Sequence, residues 1–317
     1  CDEGARMTSQ RDTFISRLFE RAQEDKDIYL MSVDMGAPSL DRWREELPDQ
    51  FFAAGISEQN AINFAAGLSA AGKKVYVYFM ASWAARCYEQ VRYSCAIAEN
   101  PITILGNGVG LGYSPAGPAH NPTEDIAYMR TLCGIEIYSP CNSDVAIKLA
   151  DLTCDQPKLR YIRLERSYPA ELEDVDCDLL TIAQGANTLA PPTGRGPKVC
   201  ILSSGYMLGR ALEVSRKLEN CNTSVIDLFR LKPIDYTVFE ELVKDFDYVV
   251  TLEEQTLSGG FGSAVCEVLA DLGLQKKVLR VGLPEGYIFQ NATRDYLLDN
   301  NGLSVEAICE QINELVK

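Results

Sequence analysis

A single histidine, His120, stands in this chain of 317 residues, so any reaction that needs an imidazole must use it. It ends a loop rich in glycine and proline that starts at Gly106, and it directly precedes Asn121-Pro122-Thr123-Glu124. Asparagine as cap, proline at the first helical position and glutamate at the third spell a helix start. The loop would thus deliver the imidazole to a helix N-terminus at the edge of a sheet. A Ser-His-Asp triad would have only this base, and no GxSxG sequence accompanies it. A zinc site is equally short of ligands, because the eleven cysteines never fall in a CxxC spacing. Their odd number and scatter read as reduced thiols packed in the core of a cytoplasmic protein.

Glu58 lies in Gly55-Ile56-Ser57-Glu58-Gln59-Asn60, again at a helix start, where the dipole alone favours a carboxylate. Its spacing does not set it apart from the other acids. Gly106, Gly108, Gly110 and Gly112 follow a strand and imitate a dinucleotide fingerprint, but that fingerprint must open a helix at once. Pro115 and Pro118 forbid one here. A flexible loop lining a cleft at the strand's carboxyl end is the better reading. Glu253-Glu254 before Ser258-Gly259-Gly260-Phe261-Gly262 raises a phosphate nest, yet two adjacent carboxylates argue against an anion, leaving a close-packed helix start.

Strands and helices that alternate must position these residues. Helices are expected at Arg11 to Glu24, Ser57 to Ala71, Trp83 to Ala98, from Pro122 and at Ser143 to Leu152. Strands are expected at Ile28 to Val33, Val75 to Phe79, Ile102 to Leu105, Ile135 to Tyr138 and Leu159 to Leu164. The helix from Trp83 would turn Trp83, Cys87, Val91, Cys95 and Ala98 to one side. The pattern lapses from about Tyr168 to Pro197, where Gly, Pro and small polar residues mark a linker.

A second alternating region follows, with strands at Val199 to Leu202, Ser224 to Asp227, Tyr248 to Leu252 and Val278 to Val281. Its helices run from Leu208 to Leu218, after Gly259 to Leu272, and from Ser304. The fold class is therefore α/β, two α/β domains with mostly parallel sheets, at 8–175 and 198–317 with a linker at 176–197. Cys1 to Arg6 read as an appendage outside the fold.

Thirty Lys and Arg against 45 Asp and Glu give a net charge of −15. A surface so acidic repels nucleic acid and anionic lipid, so an anionic ligand needs a local basic cluster. Apolar stretches break off well short of the roughly 18 residues of a membrane helix.

The ordered motifs GISEQNAINFAAGLSAAGKKVYVYFMASW, YEQVRYSCA, GPAHNPTEDIAYMR and GIEIYSPCNSD resemble the pyrimidine-binding domain of transketolases and 1-deoxyxylulose-5-phosphate synthases. TLEEQTLSGGFGSAV is similar to that family's C-terminal domain. The resemblance covers nearly all of residues 8–317. It implies thiamine diphosphate with a divalent metal, usually magnesium. The family's diphosphate-binding domain carries GDG, which is absent here. The chain thus resembles the C-terminal subunit of a split transketolase, whose N-terminal partner would hold diphosphate and metal, the two kinds of subunit closing into a heterotetramer through a homodimer of this chain.

The resemblance implies roles residue by residue. Glu58 would hydrogen-bond a ring nitrogen of the aminopyrimidine and so promote loss of the thiazolium proton. Trp83 would stack on that ring, Arg86 would lie one helical turn on, and Asp34 would sit near the boundary between subunits. His120 would approach the reacting sugar, and Arg166, with Arg163 nearby, would hold its phosphate; a surface charge at a strand end is the plainer reading of both arginines. Gly106 stands where transketolases carry a second histidine, and Ala116 replaces an acid that reads a sugar hydroxyl. The expected donor is therefore a modified or nucleotide-linked sugar rather than the usual pentose phosphates. Two other readings fit the same plan, the beta subunit of a 2-oxo acid dehydrogenase and a non-catalytic scaffold subunit. GPAHNP and IAYMR weigh against the first and Glu58 against the second.

Overall fold

A computed structural model of the chain describes residues 9–192 and 194–317; the appendage Cys1 to Arg6 lies outside the described residues. Two sheets organise it. The first contains β1 (Ile28–Ser32), β2 (Phe51–Ala53), β3 (Lys74–Met80), β4 (Ile102–Asn107), β5 (Glu136–Tyr138) and β6 (Arg160–Leu164). The second contains β7 (Asn187–Ala190), β8 (Lys198–Ser203) and β9 (Asn222–Asp227), and later β11 (Tyr248–Thr256) and β12 (Lys277–Leu283). Between them in sequence, β10 (Arg230–Lys232) returns to the first sheet, whose order is β10-β5-β6-β4-β3-β1-β2. All pairs are parallel except β10 with β5 and β7 with β9.

The strands form where continuous apolar runs can be covered on both faces, as parallel sheets require; every residue of β4 and β6 is buried. Helix Gln10–Glu24 is capped by Ser9, whose Oγ accepts from the Asp12 amide at 3.2 Å. Its buried stripe of Phe14, Ile15, Leu18, Phe19 and Ala22 packs on helix Ser143–Asp155. One apolar cluster runs continuously from Phe14 through Leu149, Ile201 and Leu208 to Ile312, so the two domains share a core.

The segment 81–97 differs from the uniform helix expected there. It starts as a 3₁₀ stretch (Ala81–Cys87), passes through Tyr88–Gln90 and widens to a π-helix at Val91–Ile97. Trp83, Cys87, Val91 and Cys95 recur strictly every four residues, and an α-helix of 3.6 residues per turn would carry such a row off its face. Cys87 closes the 3₁₀ stretch buried, the wide π turn keeps Val91 and Cys95 buried, and Ala98 is exposed. The stretch 168–197 also holds more order than its composition indicates: helix Leu179–Gln184, capped by Asp178, and β7. Three further helices, Ser39–Glu46, Tyr236–Val243 and Arg294–Leu298, form where no helix was expected.

Candidate active site at the carboxyl ends of the first sheet

In open parallel sheets, ligands bind beyond the carboxyl ends of the strands. The segments leaving β1, β2, β3, β4 and β6 at that end carry Asp34, Glu58, Trp83 with Arg86, His120, and Arg166 respectively. Glu58 opens helix Glu58–Ala70 and is only 2% exposed. Ser57 orients the turn before it by donating to the Ala54 carbonyl at 2.6 Å. A buried carboxylate needs compensation. The positive end of its own helix supplies part, and Arg86 Nη1 stands 3.6 Å from Oε2. The Arg86 side chain is itself 61% exposed, so it forms the rim rather than the floor. Burial, reinforced by the Glu58 charge, pushes the neighbouring Cys87 thiol up to about 12, which leaves it a core residue rather than a nucleophile. Trp83 is half-buried against the apolar cluster beneath. Asp34 is exposed and holds φ at 46°, a left-handed conformation uncommon outside glycine and often found at functional turns.

The two arginines separate. Arg163 is buried: Nε and Nη2 meet the Asp125 carboxylate at 2.8 and 3.1 Å, and Nη1 donates to Ser139 Oγ at 3.1 Å. Tyr161 also donates to Asp125, at 2.8 Å. Surface charge is thus the wrong description of Arg163, and its fork is engaged inside the protein. Arg166 is exposed and lies over the Tyr113 ring, 5.3 Å from its centroid, at the mouth of the glycine loop.

The loop itself is held from the second domain. Arg294, its side chain 11% exposed between two buried acids, binds Glu254 Oε1 through Nε at 2.8 Å and Glu165 Oε1 through Nη2 at 2.7 Å, and it stacks 3.7 Å over the Tyr206 ring. Burial pushes the Glu165 carboxyl up, and Arg294 pulls it back. Gly110 has φ of +56°, and a Cβ there would strike the Glu254 carboxylate, so this glycine is required twice over. At Gly106 a Cβ would lie 2.5 Å from the Tyr161 ring. That ring occupies the space a histidine would need.

His120 is half-buried, and its Nδ1 is buried without a hydrogen-bond partner among the described residues. The helix expected from Pro122 begins only at Asp125. The Pro122 carbonyl accepts from Gln255 Nε2 at 3.1 Å and the Thr123 carbonyl from the Thr256 amide at 2.9 Å. These bonds to β11 hold the segment extended. Asn121 therefore caps nothing, and both polar atoms of its amide are buried and unpartnered among the described residues. Sequence reasoning read Asn121 as a cap, and the structure shows instead a buried amide. The same reasoning missed Arg294 because that segment lacks periodicity, and the unabsorbed pair Glu253-Glu254 was the available signal.

The nest after Glu253 holds no room for a phosphate. Glu253 itself accepts from the Phe261 and Gly262 amides at 2.7 and 2.8 Å. Burial pushes its carboxyl up to about 7, and the two amides pull it down. This is the close-packed helix start expected. Among the described residues, no group of three or more His, Cys, Asp or Glu side chains is arranged to hold a metal ion. No helix among them is long and apolar enough to cross a membrane.

The transketolase pyrimidine-binding domain family matches residues 8–169, and the transketolase C-terminal domain family matches residues 190–308. The chain is 31% identical over 315 residues to one subunit of the apulose-4-phosphate transketolase of Phocaeicola vulgatus, covering 98% of each protein. It is 32% identical to 1-deoxy-D-xylulose-5-phosphate synthase of Haemophilus influenzae, where it spans 46% of that longer enzyme. A solved split-gene transketolase, an inactive beta4 tetramer, superposes with a TM-score of 0.84 at 28% identity, over 97% of this chain and 98% of that one. Transketolase from Pichia stipitis shares the fold, with a TM-score of 0.81 at 16% identity over 46% of its length. With the buried glutamate at its helix start and both domain families matched in order, the chain belongs to the transketolase family, as its pyrimidine-binding and C-terminal domains.

Proposed function

We propose that this chain is the C-terminal subunit of a split transketolase that moves a two-carbon ketol unit from a ketose to an aldehyde. The observation that carries this reading is Glu58, 2% exposed at the start of its helix, between the half-buried Trp83 and the rim residue Arg86. These residues fit the aminopyrimidine end of thiamine diphosphate: a buried acid for a ring nitrogen and an indole face for the ring. When bound, the cofactor supplies a carbon acid whose conjugate base attacks the ketose carbonyl. Glu58 holds the proton at the pyrimidine nitrogen, and Trp83 fixes the ring's plane. Asp34 and Arg86 line the edge toward the partner. His120 offers its imidazole to the reacting sugar, and Arg166 meets its phosphate. Arg163 serves the same end from behind, by holding Asp125.

The partner brings the diphosphate site and its magnesium ligands, the assembly is a two-fold heterotetramer, and it works in the cytoplasm on a modified sugar. Apulose 4-phosphate, from the name of the Phocaeicola relative, is the first donor to test. Isothermal titration decides the split. The lone chain with magnesium should bind thiamine diphosphate weaker than micromolar, and adding a subunit with the diphosphate-binding domain should restore one tight site per chain. Micromolar binding by the lone chain would overturn the split-subunit reading.

A further inference from the structure

The loop that carries His120 leaves β4 after Asn107 and runs to helix Asp125–Met129, so it belongs to the first domain throughout. Both of its ends nevertheless rest on one strand of the second. Where the loop begins, Arg294 Nη2 donates to the Val109 carbonyl at 3.4 Å. A Cβ at Gly110 would lie 2.3 Å from Glu254 Oε2, and one at Gly112 would lie 3.0 Å from Glu165 Oε2. The backbone of 109–112 therefore lies directly on the two carboxylates that Arg294 joins. Where the loop ends, the Pro122 and Thr123 carbonyls accept from Gln255 Nε2 and the Thr256 amide. Glu254, Gln255 and Thr256 are consecutive at the end of β11, so one short stretch of backbone sets the separation of the two ends.

His120 stands two residues before the second grip, and its amide donates to the Gly117 carbonyl at 3.0 Å. Glycine-rich backbone moves freely unless it is held, whereas a reacting group displaced by about 1 Å can lose about 100-fold in rate. The hold depends on Arg294. Its Nη1 and Nη2 meet Glu165, just beyond β6, at 3.1 and 2.7 Å, while Nε meets Glu254 on β11 at 2.8 Å. A planar fork spans both acids at once, which the single ammonium of lysine cannot do. We propose that the end of β11, locked to the first sheet by Arg294, positions His120 for the reacting sugar, with Arg294 and Gln255 as positioning residues. What His120 does there rests on the transketolase reading; where it is held does not. The second domain thereby takes part in the chemistry without touching cofactor or sugar.

His120 is the chain's only histidine, so carbon-13 labelling at histidine gives a single imidazole signal, read by NMR on the chain without cofactor or partner. Arg294→Lys keeps the charge and loses the fork, and Gln255→Met keeps the side chain's length and loses the donor to Pro122. Each should displace or split the imidazole signal. Ser203→Ala, which removes a buried hydrogen bond elsewhere in the second sheet, should leave it in place. A signal unmoved in both loop variants, or moved equally by Ser203→Ala, would overturn the clamp. A kinetic cycle in the reconstituted complex, with apulose 4-phosphate as donor, then asks whether the clamp acts through His120. Arg294→Lys should lower kcat/KM about tenfold or more, and on a His120→Ala background it should change kcat/KM by less than about twofold. Equal losses on both backgrounds would show that Arg294 supports the fold alone. A complex that turns over no ketose phosphate would count against the transketolase reading, while the imidazole signal still decides the clamp.

Discussion

The two sheets end in loops at the same side of the same kind of parallel architecture, yet they treat their polar residues differently. At the first sheet's carboxyl end Glu58 is buried with only a long contact to a rim arginine, and Ser82, His120 and Asn121 keep unpartnered atoms. At the second sheet's carboxyl end several polar groups are used internally, although the Asp227 carboxylate and Gln255 Oε1 are buried without a hydrogen-bond partner among the described residues. Ser203 Oγ donates to the Leu252 carbonyl at 2.7 Å, Glu253 binds the amides of the next helix, and Glu254 binds Arg294. The general rule that such ends bind ligands therefore selects between these sheets only after the partners of each end's glutamates are compared. Glu58 stands nearly unpaired, whereas Glu253 and Glu254 are tied at short range to amides and to Arg294, and that difference marks the first end as the candidate site.

Four substitutions probe this contrast. The largest effect belongs to Glu58→Gln. The change is nearly isosteric, so the fold should lose at most about 1 kcal/mol of helix-dipole stabilisation. Hydrogen–deuterium exchange at the thiazolium carbon in the reconstituted complex should instead slow by roughly 100- to 10,000-fold. Exchange within about threefold of wild type, equivalent to only about 0.65 kcal/mol, would show that Glu58 is scaffold like its counterparts in the second sheet.

Arg294→Ala should act on stability instead. It strands the buried carboxylates of Glu165 and Glu254, and removing one partner of a buried ion pair costs roughly 3–5 kcal/mol. Urea denaturation reads this directly, and a loss below about 1 kcal/mol would mean that the network holds the glycine loop without stabilising the chain. Glu253→Gln is milder. The amide can accept from one of the two backbone N–H groups but sets its own donors against the other, at about 1–3 kcal/mol. Cofactor exchange should be unaffected by it.

The smallest effect depends on pH. Asp227, at the end of β9, is fully buried, and burial pushes its carboxyl up to about 8, with only the Cys141 thiol pulling it down. Between the unfolded value near 4 and 8, the folded chain holds a proton that the unfolded chain has released. Stability must then fall as pH rises through that window and level off above it. Glu253 adds a slope of the same sign up to about 7. Asp227→Asn removes one titration, so between pH 6 and 8 wild type should lose about 1 kcal/mol per pH unit more than the variant. Parallel denaturation curves for the two would show that this carboxyl does not hold the proton.

Much of this architecture was legible in the sequence because parallel strands covered on both faces must be apolar throughout. β4 and β6 read as strands for that reason, and the motif around Glu58 carried the family. Composition alone did not single out Glu58, since its neighbours on the chain give no sign that it is buried. Local reasoning failed where distant partners decide conformation. Asn121-Pro122-Thr123-Glu124 has the chemistry of a helix start, but Gln255 and Thr256, more than a hundred residues away, take its carbonyls. The row Trp83, Cys87, Val91 and Cys95 announced a helix correctly; its strict interval of four, rather than 3.6, was the sign that the segment would not stay a regular α-helix. Arg163 sits at a strand end, where a charge ordinarily meets water, and only the fold reveals Asp125 beside it.

β10 has a consequence for how this protein can be divided. Three residues from beyond the linker complete the edge of the first sheet, pairing Arg230 with Tyr138 and Lys232 with Ile137. Lys232 also reaches back to the Arg130 carbonyl at 2.6 Å, and Arg230 to the Ala183 carbonyl at 2.9 Å. A gene cut in the linker would release an N-terminal fragment with β5 bare along one side, a template for aggregation, and a C-terminal fragment with a strand and no sheet to join. The unit that recombination or engineering can move intact is therefore the pair of domains, not either one.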